Sequence, residues 1–394
     1  MFCGSELASW RKRIILILLT YFAIFSYSHT FFMLPPFLKK AGLEPQRIGW
    51  IISAFYLAAT LCRPTAGWFI DRFGIRRTMV GASSICVVSA LLLAFTDHTP
   101  GILYTIRLFM GGGFSVFVVS TTTYQSLVIP ERIRGSAFAI TSIGGVMTAF
   151  TIIPLAELFI NRGWDLPYLL MASAASLWAM SMAFLLPPVQ QDFSSNKTQK
   201  TSYAALFKET PIKFLLISCV FLGLTDASIA YVSSLAIGRG LNPSVYMVAI
   251  SIGAIIIRLF GRGLYERVPR TVIAAPSFGA MGLALFGASF ATSNFMIAFF
   301  GFLYGAAVGY GYPTHLALIG DMIPERFRGR ASSMVYFSMD ISWTLLPVYI
   351  GYASALAGIS WAFRGFSLFA FGASVLVYFF LWKRIGQKKG IHLH

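Results

Sequence analysis

Twelve apolar segments, each close to 20 residues long, constrain this chain more than any other feature of its sequence. A helix of about 20 apolar residues spans the hydrocarbon core of a bilayer. Because lipid offers no water to unpaired backbone groups, such segments have to be helical. The sequence therefore predicts an all-α membrane protein with 12 transmembrane helices. The segments lie near residues 14–38, 48–70, 78–96, 100–124, 135–158, 166–186, 211–237, 245–264, 271–291, 295–318, 331–355 and 361–383.

The composition excludes an ordinary soluble domain. Of the 394 residues, 57% are apolar and only 11% are charged, and the mean hydropathy is +0.73. A soluble fold has too little interior to cover that much apolar surface. The first apolar segment is too long for the core of a signal peptide, so we expect it to remain as the first span.

The basic residues predict the orientation of the spans. Most of the 31 Lys and Arg residues fall in alternate loops and in the two tails, and cytoplasmic loops collect Lys and Arg. We therefore expect a multi-pass protein of the plasma (inner) membrane with both termini in the cytoplasm. These loops also account for the net charge of +17. Nucleic-acid binding is not expected, because it requires basic residues gathered on one soluble face.

An internal repeat divides the chain into two halves. The run Ile129–Gly135 (IPERIRG) recurs as Ile323–Gly329 (IPERFRG). Asp71-Arg72 recurs as Glu266-Arg267 at nearly the same offset. Two signals at one offset indicate a duplication.

The polar stretch 187–210 separates the two copies. It is the longest polar stretch of the chain, and it predicts a cytoplasmic linker. We expect an N-terminal six-helix bundle over residues 1–186, and a C-terminal six-helix bundle with a short cytoplasmic tail over residues 211–394. Aligning the ends of spans 1 and 7 places Gly42 opposite Gly240.

Two motifs resemble those of the major facilitator superfamily. The loop between spans 2 and 3 reads Gly67-x-x-x-Asp71-Arg72-x-Gly74-x-Arg76-Arg77, and Glu266-Arg267 belongs to its degenerate copy between spans 8 and 9. Span 4 carries Arg107-x-x-x-Gly111-x-Gly113, which is similar to a second motif of that superfamily. The resemblance covers nearly the whole chain. It implies two six-helix bundles related by pseudo-twofold symmetry, which alternate in opening a central site to either side of the membrane.

The resemblance also implies a conformational latch at the cytoplasmic side. A carboxylate such as Asp71 is favoured beside a helix N-terminus and beside cations. A cluster that served only to orient the spans would explain the arginines but not Asp71. Arg63 and Arg258 occupy equivalent places in the repeat and are expected to support the latch. The latch residues are Gly67, Asp71, Arg72, Gly74, Arg76, Arg77, Glu266 and Arg267.

Polar residues inside the spans mark the expected transport pathway, because a charged one costs about 2.5–3.5 kcal/mol at the bilayer centre. Asp226 lies about halfway along span 7, and Asp340 lies within span 11. In the superfamily that the chain resembles, spans 1, 4, 7 and 10 line the cavity. The candidates for proton coupling and for the substrate cavity are therefore Asp226, Arg107, His29, Asp340, His315 and Tyr21.

The same candidates also have a purely structural interpretation. Asp226 and Asp340 could serve only to hydrogen-bond neighbouring helices, and His29 and His315 could be packing histidines. Glu157 lies near the outer end of span 5, where an interfacial position is expected. If a conformational change alters what Asp226 contacts, its affinity for protons changes as well. Transport would then be coupled to protons.

We expect a proton-coupled secondary transporter that exports a small organic metabolite or drug-like compound by antiport. Span 5 follows only part of the glycine spacing typical of antiporters in that superfamily, and its Pro154 comes too late. Proton-coupled uptake, an uncoupled facilitator and a transporter-like ligand sensor therefore stay open. The expected partners are a small-molecule substrate, protons and the lipid bilayer, for a protein that acts as a monomer. The sequence contains no catalytic cluster or nucleotide-binding motif, so we expect no enzyme activity, cofactor or metal site.

Overall fold

The computed structural model describes residues 4–97, 99–129, 134–188, 203–260, 268–324 and 328–383, and no strand occurs among them. In the first half the helices are α1 (Gly4–Thr30), α2 (Leu34–Lys40), α3 (Pro45–Phe73), α4 (Ile75–Phe95), α5 (Pro100–Val128), α6 (Arg134–Asn161) and α7 (Asp165–Leu185). In the second half they are α8 (Tyr203–Glu209), α9 (Ile212–Ala227), α10 (Ile229–Gly238), α11 (Pro243–Phe260), α12 (Arg270–Ala288), α13 (Asn294–Met322), α14 (Arg328–Ala357) and α15 (Ile359–Val377).

Nine helices within the described ranges are long and apolar enough to cross a membrane. They are Lys12–Lys40, Ile75–Phe95, Pro100–Val128, Ile140–Asn161, Asp165–Leu185, Ile212–Gly238, Arg270–Ala288, Asn294–Ile319 and Ile359–Trp382. The other three predicted spans correspond to the long helices α3 and α14 and to α11, whose apolar part is shorter. The predicted all-α membrane fold is confirmed, and all twelve predicted spans have a helical counterpart.

The described helices form two compact units. The first unit is built from residues within 1–41 and 50–196, and the second from residues within 42–49 and 197–394. The short segment 42–49, which contains the start of α3, therefore groups with the second half. The repeat in the sequence did not predict this assignment.

The two units use the same pattern of helix packing. In the first unit α1 packs on α6, and α4 packs on α5 and α7. In the second unit α9 packs on α14, and α12 packs on α13 and α15. Corresponding helices occupy the same places in the order of spans, so the repeat in the sequence is also a repeat in three dimensions.

Close contacts between helices depend on glycine in both units. A Cβ atom at Gly111 of α5 would overlap the Phe55 carbonyl group of α3, and one at Gly305 of α13 would overlap the Ile250 carbonyl group of α11. Small residues allow this kind of backbone approach in membrane proteins. The two contacts lie at equivalent positions of the repeat.

The turns after spans 1 and 7 also match. Gly42 has φ = 87° and Gly240 has φ = 71°. A positive φ is a conformation that glycine adopts without strain. The alignment of these two glycines predicted from the sequence is therefore supported by their shared backbone geometry.

Span 7 contains an irregular turn at Ser228, between α9 and α10. The Ser228 hydroxyl donates to the Thr225 carbonyl at 2.7 Å. The Tyr304 hydroxyl, from α13, donates to the same carbonyl at 2.9 Å. These bonds provide partners for a carbonyl near an interrupted helix end. The turn places Asp226 in the last residues of α9.

Candidate functional site

Tyr21 belongs to a hydrogen-bonded network that joins α1, α5 and α6. Its hydroxyl donates to Gln125 Oε1 at 2.9 Å and lies 3.0 Å from the Thr122 hydroxyl. Gln125 Nε2 donates in turn to Thr141 Oγ1 at 2.6 Å. Gln125 is not among the predicted site residues, because the predicted span 4 ends at residue 124, whereas the helix continues to Val128. Because Gln125 is 1% exposed, it fixes the orientation of Tyr21.

His29 is held in place by α6. Its Nδ1 atom hydrogen-bonds with the Thr148 hydroxyl, which donates its own proton to the Gly145 carbonyl at 2.5 Å. Since a hydroxyl has a single proton, Nδ1 of His29 is the donor and Nε2 carries the lone pair. The Phe32 ring stacks on the imidazole with the centroids 4.8 Å apart. His29 is partly exposed, so Nε2 can accept a proton or a hydrogen bond.

Arg107 is a buried cation with 1% of its surface exposed. Its guanidinium carbon lies 4.5 Å from the centroid of Phe55 and 4.8 Å from that of Phe31. Nε donates to the Ile51 carbonyl at 3.4 Å. Within the described part of the chain, no hydrogen-bond partner meets Nη1 and no carboxylate forms a salt bridge with Arg107. Aromatic rings stabilise such a cation by about 0.5–2 kcal/mol, and Nη1 keeps the capacity to bind an anion.

Asp226 has two polar neighbours in the second unit. The Trp343 side chain donates a hydrogen bond to its carboxylate, and Arg258 interacts with the carboxylate electrostatically. Arg258 is expected from the sequence to support the latch, yet in the structure it acts electrostatically on Asp226. The Tyr304 hydroxyl lies 3.4 Å from the Asp226 backbone carbonyl. The carboxylate is partly exposed, so it combines an anchored position with access to a ligand or to water.

Asp340 lies on α14, three residues before Trp343, and it is also partly exposed. Residues at i and i+3 share one face of a helix. Asp340 is therefore beside the tryptophan that binds Asp226. The structure thus brings the two predicted acidic residues into the same region of the second unit. Nothing in the sequence pointed to Trp343 as the side chain between them.

His315 is fully buried and closed off by its partners. Its Nδ1–H donates to the Gly311 carbonyl at 2.8 Å, so Nε2 accepts from the Ser218 hydroxyl at 2.7 Å. The Ser218 oxygen accepts in addition from Trp382 Nε1 at 3.2 Å. Both imidazole nitrogens are satisfied in the neutral ring, and this geometry favours the packing interpretation that the sequence left open.

Glu157 lies four residues before the end of α6 and is buried among the helices. The residue is only 7% exposed in the first unit. A buried carboxylate is costly unless other groups compensate it. Glu157 therefore has to be counted with the acidic residues of the protein interior.

The latch loop, defined as residues 67–77, comprises the end of α3, Gly74 and the start of α4, and it contains the predicted latch residues of the first unit. Gly74 has φ = 80° and separates the two helices. Its N–H donates to the Ile70 carbonyl at 2.8 Å. Gly67 has open space around it, and Asp71 and Arg77 are exposed. Their role in a latch stays a prediction.

Two arginines of this loop contact different neighbours. The guanidinium of Arg72 lies over the Trp68 ring, 5.3 Å from its centroid. Arg76 instead donates through Nη2 to the carbonyls of Leu186 at 2.5 Å and Phe184 at 3.1 Å. These carbonyls belong to the C-terminal end of α7, where a cation is favoured by the helix dipole.

The predicted latch residues Glu266 and Arg267 lie outside the described residues. So does most of the predicted linker 187–210, from residue 189 to residue 202. In the described part of the second unit, Arg270 Nη1 at the start of α12 donates to both carboxylate oxygens of Asp321 near the end of α13, each at 2.6 Å.

The candidate residues differ in charge between the two units. The first unit contributes the cation Arg107 and the neutral acceptor His29, whereas the second contributes the acids Asp226 and Asp340. In the described ranges, no three His, Cys, Asp or Glu side chains come close enough together to hold a metal ion.

Similar structures identify the fold. The nucleoside transporter NupG superposes with a TM-score of 0.75 at 15% identity, covering 94% of this chain and 98% of that chain. A D-xylose-proton symporter superposes with a TM-score of 0.76 at 13% identity, covering 93% and 97%. Identities this low establish the fold alone. The fold and its apolar helices define a multi-pass membrane protein.

The family is shown by the sequence match. The sequence model of the Major Facilitator Superfamily matches residues 16–291 and 248–392, which together make up most of the chain. The chain belongs to the major facilitator superfamily.

Curated relatives match smaller parts of the chain. Multidrug resistance protein 2 of Bacillus subtilis (strain 168) is 25% identical over 197 residues, which are 48% of this chain and 48% of that protein. Solute carrier family 2, facilitated glucose transporter member 12 of Xenopus laevis is 29% identical over 138 residues, 34% of this chain and 23% of that protein. The chain thus spans less than half the length of each of these relatives.

Proposed function

We propose that this protein is a proton-coupled secondary transporter that exports a small organic compound in exchange for protons by alternating access. The observation that carries this proposal is Asp226. It is a partly exposed carboxylate inside a membrane span, with one hydrogen-bond donor and one cation beside it. A charge in a span is expensive, and proton exchange is the role that best accounts for this carboxylate.

The neighbours of Asp226 supply the means of coupling. Trp343 and Arg258 both favour the ionised carboxylate, because a hydrogen bond and a positive charge stabilise the negative form. A movement of α11 or α14 that separates either neighbour from Asp226 favours proton uptake. The Tyr304 hydroxyl donates to the backbone carbonyl of Asp226. Asp340 lies on the same face of α14 as Trp343 and is a second carboxyl near Asp226. Proton affinity then follows conformation, which is the requirement for coupled transport.

Arg107 supports a substrate with an acidic group. Its guanidinium contacts the rings of Phe55 and Phe31, and its buried Nη1 has no hydrogen-bond partner among the described residues, so an anion that enters during the transport cycle would satisfy it. The surrounding rings suit an apolar part of the same molecule. We therefore propose a small organic acid or an acidic, partly apolar metabolite as the substrate class. Tyr21 and His29 are proposed to line the cavity on α1, whereas His315 is given a packing role.

Two similar proteins favour opposite directions of transport. The match to Multidrug resistance protein 2 supports export. Proton-coupled uptake is the second candidate, because the matched structures include a D-xylose-proton symporter. An uncoupled facilitator and a ligand sensor are further outcomes that the experiment below separates.

The remaining features follow the expected architecture. We propose that residues 1–186 and 211–394 act as two bundles joined by a cytoplasmic linker over 187–210, in a monomer of the plasma (inner) membrane with cytoplasmic termini. The loop around Asp71 and its copy at Glu266-Arg267 are proposed to form the latch. Proton movement, and neither nucleotide hydrolysis nor any enzyme activity, is the proposed source of energy.

Proton movement in liposomes tests the proposal. The purified protein is reconstituted with a pH dye inside, and a panel of organic acids, metabolites and drug-like compounds is added outside. Antiport predicts that entry of a substrate makes the interior more alkaline, whereas symport predicts that it becomes more acidic. Asp226→Asn is expected to abolish the pH signal while radiolabelled substrate exchange persists.

Asp165→Asn provides the matched control. Asp165 is half exposed and forms only a 3.8 Å ion pair with Lys40, so this variant is expected to keep the full signal. Substrate exchange without any pH change in the wild type would indicate an uncoupled facilitator. Binding without exchange would indicate a sensor. A pH signal that survives in Asp226→Asn would assign the proton to another group, with Asp340 as the first to examine.

A further inference from the structure

A cavity of about 220 Å³ lies in the first unit, and none of the residues proposed for proton coupling or for the substrate cavity lines it. Its walls come from the start of α4, the end of α5 and the chain that follows α7. The residues that decide its chemistry are Phe73, Gly74, Arg76, Arg77, Tyr124 and Leu186. Among the described residues, no acidic side chain lines it.

The cavity is strongly basic. Arg76 and Arg77 form part of its wall, and both Arg13 and Arg76 lie near enough to the Tyr124 hydroxyl to act on it electrostatically. Arg76 uses Nη2 to cap the end of α7, which fixes the guanidinium and leaves its other N–H groups for a ligand. A fixed guanidinium fork is well suited to the oxygen atoms of a phosphate.

The N-terminus of α4 opens into the same cavity. Gly74 is the N-cap residue and Ile75 is the first residue of this 21-residue helix, and no side chain caps its first turn. The first N–H groups of a helix have no partner within the helix. Together with the helix dipole they form a favourable position for an anion.

Tyr124 provides an independent indication of a ligand. Its side chain lines the cavity and the residue is 3% exposed. Its hydroxyl has no hydrogen-bond partner among the described residues. A buried hydroxyl without a partner costs free energy. An anion in the cavity would accept a hydrogen bond from it.

We propose that this cavity binds the phosphate group of an anionic lipid. Arg76, Arg77, the first N–H groups of α4 and the Tyr124 hydroxyl surround the anion. Phe73 lines the cavity and is 46% exposed, so its ring suits the acyl chains of a lipid. The bound lipid ties the latch loop to the chain after α7. This site goes beyond transport itself and is independent of the substrate.

Thermal unfolding of the full-length protein in a neutral detergent tests the proposal. The probes are short-chain phosphatidylglycerol, short-chain phosphatidylcholine and inorganic phosphate, each titrated separately. Phosphatidylglycerol is expected to raise the unfolding temperature of the wild type in a saturable way, because a ligand that binds only the folded protein stabilises it. Phosphatidylcholine and inorganic phosphate are expected to produce a much smaller rise.

Two variants remove donors from the cavity without disturbing the cap on α7. Tyr124→Phe and Arg77→Gln are each expected to weaken phosphatidylglycerol binding about tenfold, the effect of losing one hydrogen bond to a charged group. Arg72→Gln is the matched control. It removes the same charge from the same loop, but Arg72 lies over Trp68 and does not line the cavity.

The outcomes separate the alternatives. Equal stabilisation by phosphatidylglycerol in the wild type and in both cavity variants would overturn the site. Inorganic phosphate that stabilises the wild type as strongly as the lipid would overturn the lipid assignment and indicate a soluble anion. If Arg72→Gln weakened phosphatidylglycerol binding as much as Arg77→Gln, the binding would depend on general surface charge. That result would also overturn the proposal.

Discussion

Ser218→Ala tests the interpretation of His315 as a packing residue. The Ser218 oxygen is the acceptor for Trp382 and its proton satisfies His315 Nε2. The substitution leaves two buried polar atoms without partners. Each such atom costs about 1–3 kcal/mol, so we expect the free energy of unfolding to fall by about 2 kcal/mol or more, using the lower value for each atom.

Thermal unfolding in detergent measures this loss. One kcal/mol shifts the unfolding temperature of a unit of this size by about 2–4 °C, so we expect a decrease of about 4–8 °C or more. Ser367→Ala is the matched control. Ser367 is also a buried serine of the second unit, 1% exposed, but its hydroxyl has no partner among the described residues. Its removal is expected to leave the unfolding temperature nearly unchanged.

The proton assay completes this test. Because His315 is neutral and fully bonded in our interpretation, Ser218→Ala protein that is still folded should retain substrate-driven proton movement. An unchanged unfolding temperature combined with lost proton movement would refute the reasoning. His315 would then belong to the proton pathway.

The other predictions concern packing in the first unit. Gly111→Ala is expected to lower the free energy of unfolding by about 1–3 kcal/mol through overpacking against α3, whereas Gly81→Ala, where a Cβ meets open space, should be neutral or slightly stabilising in the same thermal assay. Thr148→Val removes the acceptor of His29 and is expected to cost about 1 kcal/mol. Thr151→Val, whose hydroxyl bonds only within its own helix, should cost less, and an equal loss in both variants would contradict the His29 contact.

Local sequence patterns predicted the fold well because the bilayer limits the alternatives. Apolar length alone locates a span, and the lipid requires that it be helical. The equivalence of Gly42 and Gly240 was visible because a positive φ selects for glycine. The grouping of residues 42–49 with the second unit was not visible, because it depends on contacts between segments far apart in the chain.

The candidate site was less predictable for the same reason. Asp226 stands out in the sequence because a carboxylate in a span is costly. Its partner Trp343 has no such signal, since tryptophan in an apolar helix is ordinary and only the packing of α9 against α14 brings the two together. Gln125 and Glu157 are visible in the sequence as polar residues near the ends of predicted spans, but their burial follows from the orientation of their helices.

The glycine contacts described above determine how the transporter can deform. Where Gly111 meets α3 and Gly305 meets α11, backbone touches backbone, with no side chain between them that could change its rotamer. Such contacts cannot lengthen or slide by small steps without losing their packing. We therefore expect the helices of each pair, α3 with α5 and α11 with α13, to move together as one rigid body. The flexibility that a transport cycle requires has to come from pairs separated by adaptable side chains and from the irregular turn at Ser228.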